Sequence, residues 1–204
     1  MHIIIICIFA YLFGSIPFGL ILAKVFKSVD IRKIGSGNIG ATNARRAGGW
    51  GMGIATLICD ALKGAIPVAV AGGMSAAHHG RTGEIWVAAT AICAVAGHLY
   101  PVYLKFKTGG KGVSTAAGCF AVMSPLALAV SLAVFLTAAS ISNRVSAGSL
   151  AAAASLPFGV FWASHSLVTA GCALIISGAV FFRHRDNIRR LREGSEPTIW
   201  KRKR

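Results

Sequence analysis

The first stretch of the chain decides most of what it can become: Ile3 to Ala23 runs for 21 residues without a charged side chain. About 20 apolar residues in a helix cross the hydrocarbon core of a bilayer, which is roughly 30 Å thick. Comparable runs recur at Trp50–Ala77 and Ile85–Leu104, and then almost without pause from Val113 to Phe182. Hydrophobic residues make up 55% of the 204 positions and charged ones only 13%, with a mean hydropathy of +0.67. A soluble domain carries about a quarter charged residues, so no water-facing shell can enclose this chain. Its solvent is lipid. The expected fold class is an all-α integral membrane protein, with residues 1–204 forming one membrane-embedded domain.

Two later stretches are too long for one crossing. Val113 to Ile141 is 29 residues, which at about 1.5 Å per residue overruns the hydrocarbon core. Ser124-Pro125 is the natural break, because proline favours a helix start and disrupts an interior. Val145 to Phe182 should turn at Ser164-His165-Ser166. About seven transmembrane helices result, the one near 113–123 short; merging the two broken stretches gives five, two of them overlong. Gly14, Ser15 and Pro17 interrupt the first run, which reads as a span and not as a signal peptide because no positive region precedes it.

The few charges are lopsided: 21 Lys and Arg against 6 Asp and Glu give a formal net charge of +15. Basic stripes interleaved with aromatics, the mark of nucleic-acid binding, are missing, and no nucleic-acid partner is expected. With the N-terminus outside, every Lys and Arg except Lys63 and Arg81 falls in 24–49, 105–112, 142–144 or the tail from Arg183. That is the positive-inside distribution, and it puts the C-terminus in the cytoplasm. Cys7, Cys59, Cys93, Cys119 and Cys172 lie inside apolar runs without a C-x-x-C. They read as small buried hydrophobes, and neither disulfide nor metal is expected.

Three of the internal segments carry chemistry. The first is Gly35-Ser36-Gly37-Asn38-Ile39-Gly40-Ala41-Thr42-Asn43-Ala44-Arg45-Arg46. Its glycines allow close backbone approach, so amides can converge on an anion, and its arginines can clamp a phosphate. A polar linker with topology-setting arginines is the plainer alternative. The second is Gly97-His98-Leu99-Tyr100-Pro101 followed by Lys105-Phe106-Lys107-Thr108-Gly109-Gly110-Lys111-Gly112-Val113-Ser114-Thr115. A glycine turn, a lysine and a helix start together suit a phosphate, although the spacing is not that of a Walker A loop. A basic interfacial turn is the alternative. The third runs from His184 to Glu196, with His184 and Asn187 three residues apart on one helical face. The closing Lys201-Arg202-Lys203-Arg204 reads as an anchor to anionic lipid. Asp60 and Lys63, spaced i, i+3 inside a span, should neutralise each other at depth. His78-His79 falls on an outer turn, away from these segments.

In this order the segments resemble the bacterial acyl-phosphate:glycerol-3-phosphate acyltransferases, the PlsY family, over nearly the whole chain. The motifs that carry the resemblance are Gly14-Ser15-Ile16-Pro17-Phe18-Gly19, S-G-N-I-G-A-T-N from Ser36, Asp60-x-x-Lys63-Gly64, G-H-x-x-P from Gly97, G-G-K-G from Gly109, and H-R-x-N-I-x-R-L from His184. The resemblance implies transfer of a fatty acyl group from acyl phosphate to the 1-hydroxyl of sn-glycerol 3-phosphate, giving lysophosphatidic acid and phosphate at the bacterial inner membrane. It places catalytic positions at Ser36, Arg46, Lys111, His184 and Asn187. Substrate contacts are implied at Gly37, Asn38, Gly40, Thr42, Asn43, Lys107, Gly109, Gly110, Gly112, Ser114 and Thr115. Asp60, Lys63, His98 and Glu196 would support the site structurally. No cofactor and no obligate protein partner are implied; the partners are the two substrates and membrane lipid.

Two features depart from the family pattern. Thr108 intervenes between Lys107 and Gly109, which leaves the duties of Lys107 and Lys111 open, and Pro197 stands where the family continues with a basic helical stretch. No G-x-S-x-G elbow is present, and none of the 6 histidines has an aspartate five residues on. Direct attack by the glycerol hydroxyl, with His184 as base or orienting donor or with the departing phosphate taking the proton, is the expected chemistry. A small membrane transporter for anionic metabolites is the alternative, and a lipid-binding structural subunit a third.

Overall fold

The computed structural model describes residues 2–75 and 80–200. The His78-His79 pair and the closing Lys201-Arg202-Lys203-Arg204 lie outside the described residues. Among the described residues the elements are nine α-helices and two short 3-10 turns, in agreement with the all-α class. They divide into two compact units, Met1–Met123 and Ser124–Arg204.

In the first unit the opening apolar run forms α1 (His2–Gly14) and α2 (Phe18–Lys27), broken at Ser15-Ile16-Pro17. Proline 17 has no N–H to continue the helical ladder. Helix α1 buries Ile6, Ala10 and Gly14, one residue per turn, and leaves Ile4, Ile5, Ile8 and Phe9 exposed. An apolar residue facing outward on all but one stripe is what a lipid-facing helix requires.

Helix α3 (Ala41–Ser75) begins earlier than the apolar run at Trp50 indicates. Ala41, Ala44, Arg45, Arg46 and Ala47 are strong helix formers, so half of the polar segment read as a loop is a helix. Gly49, at φ 83° and ψ −175°, separates this short helix from the span that follows. Helix α4 (Arg81–Leu99) stops before Pro101, short of Leu104, and a 3-10 turn covers Val102–Leu104. Helix α5 (Val113–Met123) packs on α3 through small residues. A Cβ on Gly64 would overlap the Thr115 carbonyl, and one on Gly118 the Ala61 carbonyl. Close backbone approach of this kind holds helices together where lipid removes the hydrophobic drive.

In the second unit α6 (Pro125–Ser142) opens at the Ser124-Pro125 break, and α7 (Val145–Ser164) ends at His165, whose φ is 51°. Helix α8 (Leu167–Arg183) is capped by Ser166, whose hydroxyl accepts from the Thr169 amide at 3.2 Å. Helix α9 (Arg185–Arg192) is bent from α8 by 60°. Five segments, His2–Lys27, Ala41–Ser75, Arg81–Leu104, Pro125–Ser142 and Val145–Ser164, are long and apolar enough to cross a membrane, and α8 with α9 makes a sixth if the bent pair is one span. The chain is a multi-pass membrane protein.

Candidate active site

The first glycine-rich segment is a shaped loop. Gly35 and Gly37 take positive φ, 54° and 69°, so the backbone doubles back over a few residues. Asn43, on the first turn of α3 and fully buried, organises it: Oδ1 accepts from the Ser36 amide at 3.1 Å, while Nδ2 donates to the Ile31 and Ile34 carbonyls at 3.0 and 2.9 Å. Both amide hydrogens and the oxygen of Asn43 are thereby engaged by the backbone, which makes it a builder of the loop. Asn38 closes an Asx turn onto the Gly40 amide at 2.8 Å. Ser36 is exposed, and its hydroxyl accepts from the Asn38 amide at 3.5 Å. Thr42 is half-buried beside them.

The two arginines of the short helix part company. Arg45 stacks on Trp50, with its guanidinium 4.5 Å from the ring centroid. Arg46 is exposed and its stem passes over Gly35, where a Cβ would come within 3.3 Å of its Cδ. A side chain on Gly35 would displace both Asn43 and Arg46.

The second segment touches the first: Asn38 Nδ2 donates to the Gly109 carbonyl at 3.5 Å. Gly109 and Gly110 are buried against the end of α4, where a Cβ on Gly109 would overlap the Leu99 carbonyl and one on Gly110 the His98 imidazole. The Gly110 amide donates to the His98 carbonyl at 3.0 Å. Gly112, at φ 86°, leads into α5, so Lys111 sits half-buried at the head of that helix. The first N–H groups of a helix have no partner within it and attract negative charge. Lys107 is exposed. Ser114 is half-buried, whereas Thr115 is fully enclosed in the α3–α5 packing.

Behind this turn runs a buried polar seam. Asp60 and Lys63 pair at 2.9 Å with side-chain exposures of 3% and 1%, as their spacing indicates. Lys63 Nζ also donates to the Ile16 carbonyl at 2.9 Å, at the break between α1 and α2. His98 Nδ1 lies 3.8 Å from Asp60 Oδ1. The helix break, the ion pair, His98 and the Gly110 backbone are thus in sequence. Contact between His98 and Gly110 was not legible beforehand, because it joins two motifs that the sequence separates by a turn.

His184, Asn187 and Glu196 belong to the second unit. His184, at the α8–α9 bend, is buried, and its Nδ1 is 2.8 Å from the Val180 carbonyl. That oxygen only accepts, so Nδ1 carries a proton toward it. Asn187 Nδ2 donates to Glu196 Oε1 at 2.6 Å, and Arg190 Nε donates to Glu196 Oε2 at 2.7 Å. Burial alone would raise the Glu196 carboxyl. Hydrogen bonds from Asn187 and Arg190, together with the Arg190 charge, outweigh it and hold the group below the usual carboxylate range. Arg190 stands in the H-R-x-N-I-x-R-L motif, but no local pattern ties it to Glu196.

Comparison with known proteins gives this geometry its context. Residues 4–194 match the model of the glycerol-3-phosphate acyltransferase family. A glycerol-3-phosphate acyltransferase of Geotalea daltonii is 50% identical over 193 residues, covering 95% of each chain. That of Geobacter sulfurreducens is 47% identical over 187 residues, covering 92% of each. The crystal structure of PlsY, an integral membrane glycerol 3-phosphate acyltransferase, in its glycerol 3-phosphate form has a TM-score of 0.89 at 39% identity, covering 97% of this chain and 96% of that one. Its lysophosphatidic acid form has a TM-score of 0.87 at 38% identity, over 97% and 95%. These likenesses favour an acyltransferase over a transporter. With the match running from the first helix through α9, this chain belongs to the glycerol-3-phosphate acyltransferase family.

Proposed function

We propose that the chain moves a fatty acyl group from acyl phosphate to the 1-hydroxyl of sn-glycerol 3-phosphate, at the cytoplasmic face of the bacterial inner membrane. The observation that carries the reading is the hydrogen bond from Asn38 to Gly109, which joins the loop bearing Ser36 to the turn bearing Lys111. Both substrates carry phosphate, and a pocket of glycine turns with Arg46 and Lys111 suits two anions that must meet.

Acyl phosphate is an activated anhydride, so the main task is to bring two anions together in the right orientation. The C1 hydroxyl oxygen attacks the acyl carbonyl carbon, the bond from that carbon to the phosphate oxygen breaks, and phosphate leaves with the electron pair. The hydroxyl proton passes to His184 Nε2 or to the departing phosphate. No acyl-enzyme forms. In this reading Gly109, Gly110 and Gly112 line the phosphate of glycerol 3-phosphate, with Lys111 neutralising charge that grows on the leaving group. Ser36, Arg46 and Asn187 orient the reactants, and Asp60, Lys63, His98 and Glu196 support them.

The test uses purified protein in lipid, with glycerol 3-phosphate and, separately, acyl phosphate or acyl-CoA. Lysophosphatidic acid and phosphate should form with acyl phosphate alone; turnover with acyl-CoA but not acyl phosphate would overturn the donor. Lys111→Ala should lower kcat/KM by about 10²–10³-fold, the scale of losing a charge-stabilising donor. Lys107→Ala, being exposed before the turn, should change it by less than about threefold, and a larger loss at Lys107 than at Lys111 would reverse the assignment.

A further inference from the structure

The tail beyond α9 is bonded to the turn between α6 and α7 in a way that neither the reaction nor the sequence motifs call for. Asn143, at the end of α6, is left-handed at φ 55°, a conformation asparagine tolerates better than most side chains. Its carboxamide pairs with both backbone groups of one residue: Nδ2 donates to the Trp200 carbonyl at 2.9 Å, and Oδ1 accepts from the Trp200 amide at 3.0 Å. The Asn143 carbonyl accepts from the Ile199 amide at 2.9 Å. Next to it, Arg144 Nη2 donates to the Gly194 carbonyl at 3.0 Å. At its other end the tail is tied to α9, where the Ser195 and Glu196 amides donate to the Arg190 carbonyl at 2.9 and 3.1 Å. Pro197, with a fixed φ and no N–H, keeps this stretch from continuing as helix.

Glu196 stands between the two ties. Its carboxylate only accepts, so Asn187 must turn its NH2 toward it, and this decides which end of the Asn187 amide faces elsewhere. The strap thus reaches from the α6–α7 turn, through Glu196, to a side chain of the proposed site. We propose that Asn143 is a positioning residue, which holds the tail across Ile199 and Trp200 so that Glu196 locks the Asn187 carboxamide in one orientation. This rests on the acyltransferase reading for the role of Asn187, and on hydrogen bonds alone for the strap.

Backbone-directed variants isolate the device. Asn143→Gly keeps the left-handed turn but deletes both carboxamide bonds, and Trp200→Pro deletes the amide that Oδ1 accepts. Trp200→Ala leaves every backbone bond in place. Hydrogen exchange of the Ile199 and Trp200 amides should accelerate at least tenfold in Asn143→Gly, and unchanged exchange overturns the strap whatever the activity. In the acyl-transfer assay, Asn143→Gly and Trp200→Pro should each lower kcat/KM about tenfold, a modest share of what about 1 Å of misplacement costs. They should divide that loss between kcat and KM in the same proportion as Asn187→Ala. The double variant should be no worse than the poorer single, because both cut one link, and Trp200→Ala should match the parent. Additive losses, or a parent-like Asn143→Gly, would overturn the proposal. Undiminished activity in Asn187→Ala would instead sink the site reading, with accelerated exchange still reporting the strap.

Discussion

Glu196 shows how one buried charge is made stable at the edge of a membrane. It is 8% exposed and bonded by Asn187 at Oε1 and by Arg190 at Oε2, so its ionised form is held in place by a donor on each oxygen. A carboxyl whose folded pKa is depressed stabilises the fold fully above its unfolded value, 4.5, and loses that contribution as pH falls through the folded value. Glu196→Gln should therefore melt below the parent at pH 7. The gap should stay constant down to about 4.5 and narrow below it, as scanning calorimetry in nanodiscs would record. A gap that persists unchanged well below pH 4 would mean that charge is not what Glu196 contributes. At this scale the sequence was informative where partners lie within one or two turns, as for Asp60 with Lys63. It was silent about Asn43 gripping Ile31 and Ile34 carbonyls, because backbone acceptors have no residue type to recognise.

At the scale of elements, proline and glycine set the helix boundaries, and these were legible because they act locally. The break at Ser15–Pro17 and the start at Pro125 follow from a missing N–H or a restricted φ; the stop before Pro101 has the same cause, but the apolar run that continues to Leu104 concealed it. The helix from Ala41 to Gly48 was not foreseen, since its polar composition masked good helix formers. What separates it from the following span is Gly49, in a region of φ and ψ that glycine alone occupies readily. A Cβ there would meet nothing within 4 Å, and the same is true at Gly51, two residues on, where φ is not positive. Space being equal, the two positions separate conformation from crowding. Gly49→Ala should cost about 1–3 kcal/mol of stability and impair acyl transfer by moving Arg46. Gly51→Ala should be neutral or add up to about 1 kcal/mol. Comparable melting temperatures for the two variants would show that the kink is not set by Gly49.

For the whole molecule the governing quantity is which side of the bilayer each polar segment occupies. The excess of Lys and Arg over acids gives +15, and their distribution predicts an external N-terminus under the positive-inside rule. Two hydrogen-bonded junctions add constraints that composition cannot supply. Asn38 bonded to Gly109 puts both on one side, so α3 and α4 together cross an even number of times. Asn143 bonded to Trp200 does the same for α7 and α8. The second junction bears on the choice between seven and five crossings. With the C-terminus inside, seven crossings leave Arg144 in the cytoplasm, whereas merging 113–141 and 145–182 into single spans leaves it outside. Single cysteines at Lys33, Thr82, Lys107, Arg144 and His165, in a chain with its five native cysteines replaced, decide between them. An impermeant maleimide applied to spheroplasts should label Thr82→Cys and His165→Cys, and reach Lys33→Cys, Lys107→Cys and Arg144→Cys only after lysis. Labelling of Arg144→Cys before lysis would favour five crossings and would contradict its bond to the tail; inversion of the whole pattern would overturn the orientation itself.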